Sequence, residues 1–236
     1  MTLEQTIDSY KPTPETIELV RDSHITLLVG ISGAGKDTIK KHLLEKDGYS
    51  DIISHTTRAP RMNNGILEQD GQDYHFSSLE TARTMLAQRA FIEAKLVHGT
   101  VYGTSTGEVR RAHDMHKIAI TDIDVQGVDE YKQVSQEVVA IFILPPSFDI
   151  WRERLMQRYE SAEAFDLEWP KRRTSAIKEL QQALSVPYYH FIINDDLARS
   201  VAVADEIAHQ GDLFHRKDDE ARLVARDLLE EILAHN

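Results

Sequence analysis

Residues 30–38 are of the types that bind phosphate groups. Their sequence, GISGAGKDT, fits the pattern G-x-x-x-x-G-K of a phosphate-binding loop. In such a loop the glycines bring backbone N–H groups close to phosphate oxygens, and the lysine adds a full positive charge. The pattern has Ser or Thr after the lysine, whereas this chain has Asp37 followed by Thr38. The residues predicted to contact the phosphates are Gly30, Ser32, Gly33, Ala34, Gly35, Lys36, Asp37 and Thr38.

The residues on either side of the loop predict the elements that must position it. Ile25–Val29 is a continuous apolar run, typical of a buried strand, and residues 38–46 have the spacing of an amphipathic helix. A helix that begins straight after the loop points its partial positive charge at bound phosphate. The alternative interpretation, an ordinary tight turn, is disfavoured because both flanks are of the expected type.

Two groups of arginines could bind phosphate elsewhere in the chain. Arg58 and Arg61 flank Pro60, and guanidinium forks on a stiffened backbone suit a terminal phosphate. A second basic cluster lies within residues 152–173. Either group alone would more often be a solvated surface. The order of loop, arginine pair and basic cluster along the chain favours phosphate binding for both.

The remaining sequence predicts strands alternating with helices. Apolar runs at residues 138–144 and 190–193 predict core strands, and the first is typical of a parallel sheet covered on both faces. Ser77 and Glu80 predict a capping box that opens a helix ending near Arg89.

Near the end of the chain, Trp169-Pro170 predicts an irregular segment, and residues 171–173 predict the head of a new helix. Residues 218–235 predict an acidic amphipathic helix that packs on the core. Its apolar residues, expected roughly on one face, are Leu223, Leu228, Leu229 and Ile232.

Composition excludes several kinds of site. The 236 residues contain no cysteine, so neither a disulfide nor a thiolate metal site can form, and the histidines do not fall at metal-ligand spacings. A formal net charge of −12 opposes binding to a nucleic acid polymer, which needs an extended basic face. The N-terminus lacks the regions of a signal peptide, and no apolar run is long enough to span a bilayer. We therefore expect a cytoplasmic protein without a membrane partner.

Residues 54–127 carry further motifs in a recognisable order, DYHF, FIE, YGT and TDIDVQG. With the loop before them and the basic cluster after them, they resemble guanylate kinase over residues 25–200. The resemblance implies that the phosphate of GMP is held by Arg58, Arg61, Tyr74 and Tyr102. It implies that the guanine base is read by Ser54, Glu93, Thr104 and Asp124.

The chemistry of Glu93 agrees with that role. A carboxylate can accept two parallel hydrogen bonds, from guanine N1–H and from the exocyclic amino group, and adenine offers no such pair. A surface acid is the alternative interpretation of Glu93 alone. The Tyr102-Gly103-Thr104 motif that follows it would then be a coincidence.

The resemblance also implies how ATP and magnesium are bound. Asn194 lies near the adenine end of the ATP site, and the catalytic residues are Lys36, Arg154, Arg158 and Arg172. Asp122 ends an apolar strand, where a carboxylate commonly holds the magnesium shell, although a strand-ending Asp can also cap a helix. Asp37 has two interpretations, a residue that stabilises the helix through its dipole or, with Thr38, a magnesium ligand.

The predicted fold is α/β, a parallel sheet of the phosphate-loop NTPase type wrapped by helices, with an inserted α+β subdomain that binds a nucleoside monophosphate. The predicted parts are an extension at 1–22 with no role beyond packing, a core at 23–53, 113–154 and 175–212, a GMP-binding subdomain at 54–112, a lid at 155–174 and a C-terminal helix at 213–236.

The expected activity is magnesium-dependent transfer of the γ-phosphate of ATP to GMP, by a monomer or a homodimer. Three features depart from the family: Asp37, a longer segment at residues 62–67, and a longer lid. Two alternatives stay open. One is a sugar-phosphate kinase similar to ribose 1,5-bisphosphate phosphokinase, in whose loop an aspartate follows the lysine. The other is a guanylate-kinase-like module that binds phosphorylated peptides without catalysis.

Overall fold

The structure is a computed structural model that describes residues 2–63, 66–210 and 218–235. In this part of the chain the helices are α1 Leu3–Asp8, α2 Pro14–Asp22, α3 Lys36–Leu44, α4 Leu79–Ala87, α5 Thr106–Asp114, α6 Val125–Val134, α7 Phe148–Met156, α8 Ala162–Ser185, α9 Leu197–Gln210 and α10 Asp218–Ala234. The strands are β1 Ile25–Val29, β2 Tyr49–Asp51, β3 His55–Thr56, β4 Met62–Asn63, β5 Ile66–Leu67, β6 His75–Phe76, β7 Phe91–Val97, β8 Thr100–Ser105, β9 Ile118–Asp122, β10 Val139–Leu144 and β11 Tyr189–Ile193.

The chain divides into two compact units. The first unit consists of Met1–Ile25, Gly48–Thr121 and Asp129–Val138. The second unit consists of Thr26–Asp47, Asp122–Val128 and Val139–Asn236. Among the described helices of both units, none combines the length and apolar character needed to cross a lipid bilayer.

The second unit is built on parallel strands that alternate with helices. β10 pairs in parallel with β1 on one side and with β11 on the other. All five residues of β1 are buried, as expected for a strand covered on both faces. The predicted α/β class is confirmed, and so are the strands predicted at β1, β10 and β11.

The first unit contains a parallel strand pair and a four-stranded sheet. β2 and β9 pair in parallel, and the four-stranded sheet has the order β6-β3-β8-β7. In the four-stranded sheet β8 is antiparallel to both β3 and β7, and β7 forms the edge. β4 and β5 form a short antiparallel hairpin.

Two predicted helix starts are wrong by one or two residues. α3 begins at Lys36 rather than at residue 38, because Gly35, with φ of 97°, is the cap residue. The N-cap of α4 is Ser78 rather than Ser77, since the Ser77 N–H still donates to the Thr56 carbonyl of the sheet at 2.9 Å.

The prediction of an irregular segment at Trp169-Pro170 is wrong. Both residues lie inside α8, where the proline removes one backbone hydrogen bond. The Trp169 ring packs against Phe148, Trp151 and Phe165 at centroid separations of 6.1, 5.4 and 5.5 Å. This aromatic packing compensates for the unfavourable proline, so the helix continues through it.

α10 is amphipathic as predicted, but its buried face differs from the expected one. Ala221, Ala225, Leu228 and Ile232 are buried, whereas Leu223 is exposed. The buried residues recur at the spacing of one helical face, and Leu223 falls outside it.

Candidate functional site

The phosphate-loop residues form a tight backbone turn between β1 and α3. Gly30 has φ of 140°, and a Cβ there would collide with the carbonyl oxygen of Ile143 on β10. Gly35 is also left-handed, and a Cβ there would collide with the Asn194 side chain. Only glycine fits at either position, so the loop can lie directly against its neighbours.

Side chains from later in the chain brace this loop. The buried Asn194 amide donates to the Ala34 carbonyl at 2.8 Å, and the Trp151 indole N–H donates to the Ser32 carbonyl at 2.8 Å. Asn194, predicted to lie near adenine, therefore also fixes the shape of the loop. Lys36 Nζ donates to the Gly30 carbonyl at 2.5 Å.

A cavity of about 340 Å³ opens beside the loop. Its lining consists of Gly33, Gly35, Thr38, Arg154, Arg158, Asn194, Asp195 and Leu197. Arg154 Nη2 donates to the Asn194 carbonyl at 3.1 Å, while its buried Nη1 makes no hydrogen bond to any described residue. Arg158 Nη1 contacts Ser32 Oγ at 3.3 Å. A buried donor without a partner, beside a ring of loop N–H groups, suits an anionic ligand.

Arg172 is not among the residues that line this cavity. Its Nε donates to the Tyr159 hydroxyl at 2.9 Å from an exposed position on α8. Of the three arginines predicted to be catalytic, the structure therefore places two, Arg154 and Arg158, beside the loop.

The predicted metal-binding residues differ in their surroundings. Thr38 lines the cavity, whereas Asp37 is exposed in the first turn of α3 and is not part of the lining. Asp122, at the end of β9, forms an ion pair with Lys40 at 3.0 Å. Burial opposes ionisation of Asp122, but the charges of Lys40 and Lys36 outweigh it and lower the pKa of this carboxyl.

In the first unit, the buried Glu93 is paired with Thr104. The two residues are directly opposite in the β7–β8 register, and Thr104 Oγ1 donates to Glu93 Oε1 at 2.9 Å. Glu93 is 5% exposed, and its Oε2 makes no hydrogen bond to any described residue. A buried carboxylate oxygen without a donor is costly, which points to a ligand that supplies N–H groups.

Arg58, Tyr74 and Tyr102 lie together in the same unit. The Arg58 guanidinium lies over the Tyr74 ring, 4.8 Å from its centroid, and the Tyr74 and Tyr102 rings are 6.1 Å apart. Arg58 also forms a two-pronged ion pair with the buried Glu68, with Nη2 at 2.8 Å from Oε1. Arg61 is exposed, and its backbone N–H donates to the same Glu68.

The other two residues predicted to bind the guanine base, Ser54 and Asp124, belong to different units of the chain. The Ser54 carbonyl accepts a hydrogen bond from the His75 N–H at 2.9 Å, which ties residue 54 to the first unit. Asp124 belongs to the second unit, where its carboxylate accepts the Gly127 N–H at 2.8 Å at the start of α6. Asp124 thus acts as a helix cap in the structure.

Comparisons with known proteins identify the family of the chain. The profile of the guanylate kinase family matches residues 22–210. A guanylate kinase of Neisseria gonorrhoeae is 37% identical over 197 residues, 83% of this chain and 87% of that protein. One of Sus scrofa is 37% identical over 178 residues, 74% and 86% of the two chains. The chain belongs to the guanylate kinase family.

The solved structures agree with this assignment. The crystal structure of guanylate kinase from Anaplasma phagocytophilum matches with a TM-score of 0.59 and 25% identity, covering 82% of this chain and 88% of that one. The resemblance to guanylate kinase inferred from the sequence is confirmed. All of the predicted site residues fall within the part that matches the family, whereas α1 and α10 fall outside it.

Sequence reasoning missed two polar residues near the site, the buried Tyr131 and the half-buried Glu179. Tyr131 is fully buried, and burial raises the pKa of its hydroxyl above the usual value. The charge of Glu93 also raises this pKa, whereas the Thr104 side chain lowers it. Burial raises the pKa of Glu179 to about 7. The charges of Lys36 and Arg172 lower this pKa, and that of Asp124 raises it. The position of Glu179 two helical turns after Arg172 was the available signal, because such residues share a face. Tyr131 had no sequence signal.

Proposed function

We propose that the protein transfers the γ-phosphate of ATP to GMP, giving ADP and GDP. The observation that carries the proposal is the buried Glu93 carboxylate, which has one oxygen bonded to Thr104 and one without a donor. Guanine N1–H and its exocyclic amino group present two parallel donors, one for the Oε2 that has no donor and one for the remaining lone pair of Oε1. Adenine and uracil do not present this pair, so the site selects guanine.

Arg58, Arg61, Tyr74 and Tyr102 hold the phosphate of GMP in this proposal. Arg58 is already oriented by Glu68 and Tyr74, whereas Arg61 is exposed and can turn toward the ligand. Ser54 and Thr104 add hydroxyl groups for the base. The acceptor phosphate is ionised at neutral pH, so the reaction needs no general base.

The second unit binds ATP. Backbone N–H groups of the loop and the ammonium of Lys36 contact the β- and γ-phosphates, with Lys36 exchanging the Gly30 carbonyl for phosphate oxygens. Arg154 and Arg158 neutralise the charge that develops on the transferred group, and Arg172 joins them if α8 moves toward the cavity. Catalysis is positioning together with electrostatic stabilisation.

We include magnesium in the proposal because the available oxygen donors fit it. When bound, the ion would supply positive charge that offsets the negative charge of the ATP phosphates. The Thr38 hydroxyl lines the cavity, and the Asp122 carboxylate, ionised beside Lys40, can hold the water shell of the ion. We place the reaction in the cytoplasm, and the formal net charge of −12 opposes a nucleic acid polymer as partner.

Asp37 is proposed to assist magnesium binding, and two variants test this role. Asp37→Ala is expected to raise the magnesium concentration for half-maximal activity by about threefold to tenfold, since a carboxylate near a triphosphate is favourable only with a cation between them. Asp37→Ser should restore much of the family arrangement. Magnesium titration of both variants at saturating ATP checks the prediction. If Asp37 acts only through the helix dipole, both variants keep the wild-type magnesium dependence and lose ~0.3–1 kcal/mol of stability.

Arg61→Ala is expected to raise the KM for GMP by about tenfold, because a charge-assisted hydrogen bond is worth ~1.5–3 kcal/mol. The exposed position of Arg61 predicts little change in the midpoint of thermal unfolding. Arg58→Ala is the contrasting variant, since it removes the ion pair of the buried Glu68 carboxylate, although the Arg61 N–H still donates to it, and should also lower the free energy of unfolding by ~1–3 kcal/mol. Calorimetric titration with GMP and thermal denaturation measure the two effects.

The contribution of the Arg58–Glu68 ion pair to the free energy of unfolding depends on pH. Hydrogen bonding from Arg58 lowers the pKa of Glu68. The stabilisation is therefore fully present above the ordinary pKa of a carboxyl and is lost as the pH falls through the lowered value. Wild type and Arg58→Ala should converge in stability at low pH.

Wild-type GMP affinity in both Arg58→Ala and Arg61→Ala would mean that the two arginines do not hold the phosphate of GMP.

A coupled assay with ATP, magnesium and a panel of acceptors tests the function. GMP and dGMP should be phosphorylated, while AMP, UMP and ribose 1,5-bisphosphate should not. The sugar-phosphate kinase has no need for a buried carboxylate that reads a base, and a peptide-binding module has no need for the cavity beside the phosphate loop. Turnover with ribose 1,5-bisphosphate alone, or with no acceptor, would overturn the proposal.

A further inference from the structure

Glu93 follows an irregularity in strand β7. Phe91 pairs with Ser105 and Glu93 pairs with Thr104, so the register shifts by one residue between them. An extra residue of this kind bends a strand and re-aims the side chains next to it. The direction of the Glu93 carboxylate therefore depends on how the backbone at Phe91 is held.

A side chain from the N-terminal segment holds that backbone. The Tyr10 hydroxyl donates to the Phe91 carbonyl at 2.6 Å and accepts the Phe91 N–H at 2.9 Å. Because β7 is the edge strand of its sheet, such backbone groups have no neighbouring strand on the outer side. One hydroxyl thus replaces a strand partner for both groups of Phe91.

Tyr10 is itself fixed from two sides. Arg89 donates to the carbonyls of Lys11 and Pro12 at 2.9 and 2.7 Å, and so anchors the chain just after Tyr10. Before it, Ile7 of α1 is buried in an apolar cluster with Leu86, Phe91, Ala94 and Val101. The Tyr10 ring meets the Phe91 ring edge to face at 6.5 Å. These contacts on both sides therefore fix the Tyr10 hydroxyl at a defined position.

We infer that Tyr10 is a positioning residue for Glu93, and that the N-terminal segment, residues 2–12, sets the selectivity for guanine by bracing the irregular part of β7. This inference rests on the proposed function. The segment precedes residue 22, where the match to the guanylate kinase family begins, so the brace lies outside the part shared with the family. Tyr10 does not itself touch the nucleotide.

The test is Tyr10→Phe, which keeps the ring and removes only the hydroxyl. Its KM for GMP is expected to rise by about threefold to tenfold, with the KM for ATP unchanged. The preference for GMP over IMP should fall by a similar factor, because IMP lacks the exocyclic amino group that donates a hydrogen bond to Glu93. A purely structural role would lower the thermal midpoint and leave this preference unchanged.

Two further variants make the test specific. Arg89→Ala loosens the same segment from the other side and should reduce the preference for GMP over IMP in the same direction. Thr13→Ala is the control, because the Thr13 hydroxyl accepts the Thr16 N–H as the cap of α2 and the substitution leaves the Tyr10 and Arg89 hydrogen bonds in place. It should lower the thermal midpoint while keeping the wild-type preference.

The outcomes separate the inference from the proposed function. A wild-type enzyme that does not phosphorylate GMP would overturn both. A wild-type enzyme that does, together with an unchanged GMP to IMP preference in Tyr10→Phe and Arg89→Ala, would overturn the inference alone. An equal loss of preference in Thr13→Ala would also overturn it, since general loosening of the segment would then explain the effect.

Discussion

Replacement of Glu93 by Gln is expected to lower kcat/KM for GMP by roughly 10- to 150-fold and to leave the KM for ATP close to that of the wild type. The amide keeps one oxygen and replaces the other with an NH₂ group. A donor would then face either the donors of guanine or the hydroxyl of Thr104, which now donates to Glu93 at 2.9 Å. A good acceptor becomes a mismatched donor in a buried site.

The same substitution separates function from folding. Glu93 is buried with one oxygen lacking a hydrogen bond, so a neutral amide is easier to desolvate than the carboxylate. The free energy of unfolding of Glu93→Gln should therefore equal or exceed that of the wild type. Steady-state kinetics with GMP and IMP, beside thermal denaturation, check both expectations.

Thr104→Val is the companion variant, because it keeps the shape and removes the hydroxyl. Its loss of kcat/KM for GMP should be smaller than that of Glu93→Gln, since the carboxylate retains both oxygens for the base. An unchanged kcat/KM for GMP in Glu93→Gln would remove Glu93 from the guanine site.

The elements that the sequence predicted well are those determined by neighbouring residues. The strand β1, the loop and α3 follow from an apolar run, three glycines and a lysine within a short stretch. Ser147 follows two prolines and caps α7, where its side chain accepts the Ile150 N–H at 3.3 Å. Such signals act over a few residues, so they can be read before the fold is known.

The errors arose where distant residues decide the structure. Pro170 lies inside a helix because Trp169 packs against rings that come from α7 and from earlier in α8. Ser77 is not the helix cap because its backbone pairs with Thr56. No local pattern contains either partner.

The candidate site shows the same division. The family motifs identified Glu93 and Thr104, which the β7–β8 register then brings face to face. The pairing of Arg58 with Glu68 was not predicted, although it decides which arginine of the pair is fixed and which is exposed. The Tyr10 contact joins residues 81 positions apart, so the local pattern of residues 1–22, which predicted packing alone, could not indicate it.

Replacement of Lys36 by Met should lower kcat by roughly 10²- to 10³-fold, the size of effect seen when one preorganised group that stabilises transition-state charge is removed. Methionine keeps the length of the side chain and removes its charge. The loss of the bonds from Nζ to the Gly30 and Ile31 carbonyls, at 2.5 and 3.4 Å, should cost only ~1 kcal/mol of stability. The KM for GMP should change little, because the residues proposed to bind GMP, Arg58, Tyr74 and Tyr102, belong to the other unit.

Lys41→Met provides the matched control on the same helix, since Lys41 is exposed on α3 and is not part of the cavity lining. It removes the same charge from the same unit, so a general electrostatic effect would appear in both variants. Single-turnover kinetics with saturating ATP distinguish a slower chemical step from slower product release. If Lys36→Met and Lys41→Met lose kcat to the same small extent, Lys36 does not stabilise the transferred phosphoryl group. A large loss in Lys36→Met alone assigns that role to the ammonium at the end of the phosphate loop.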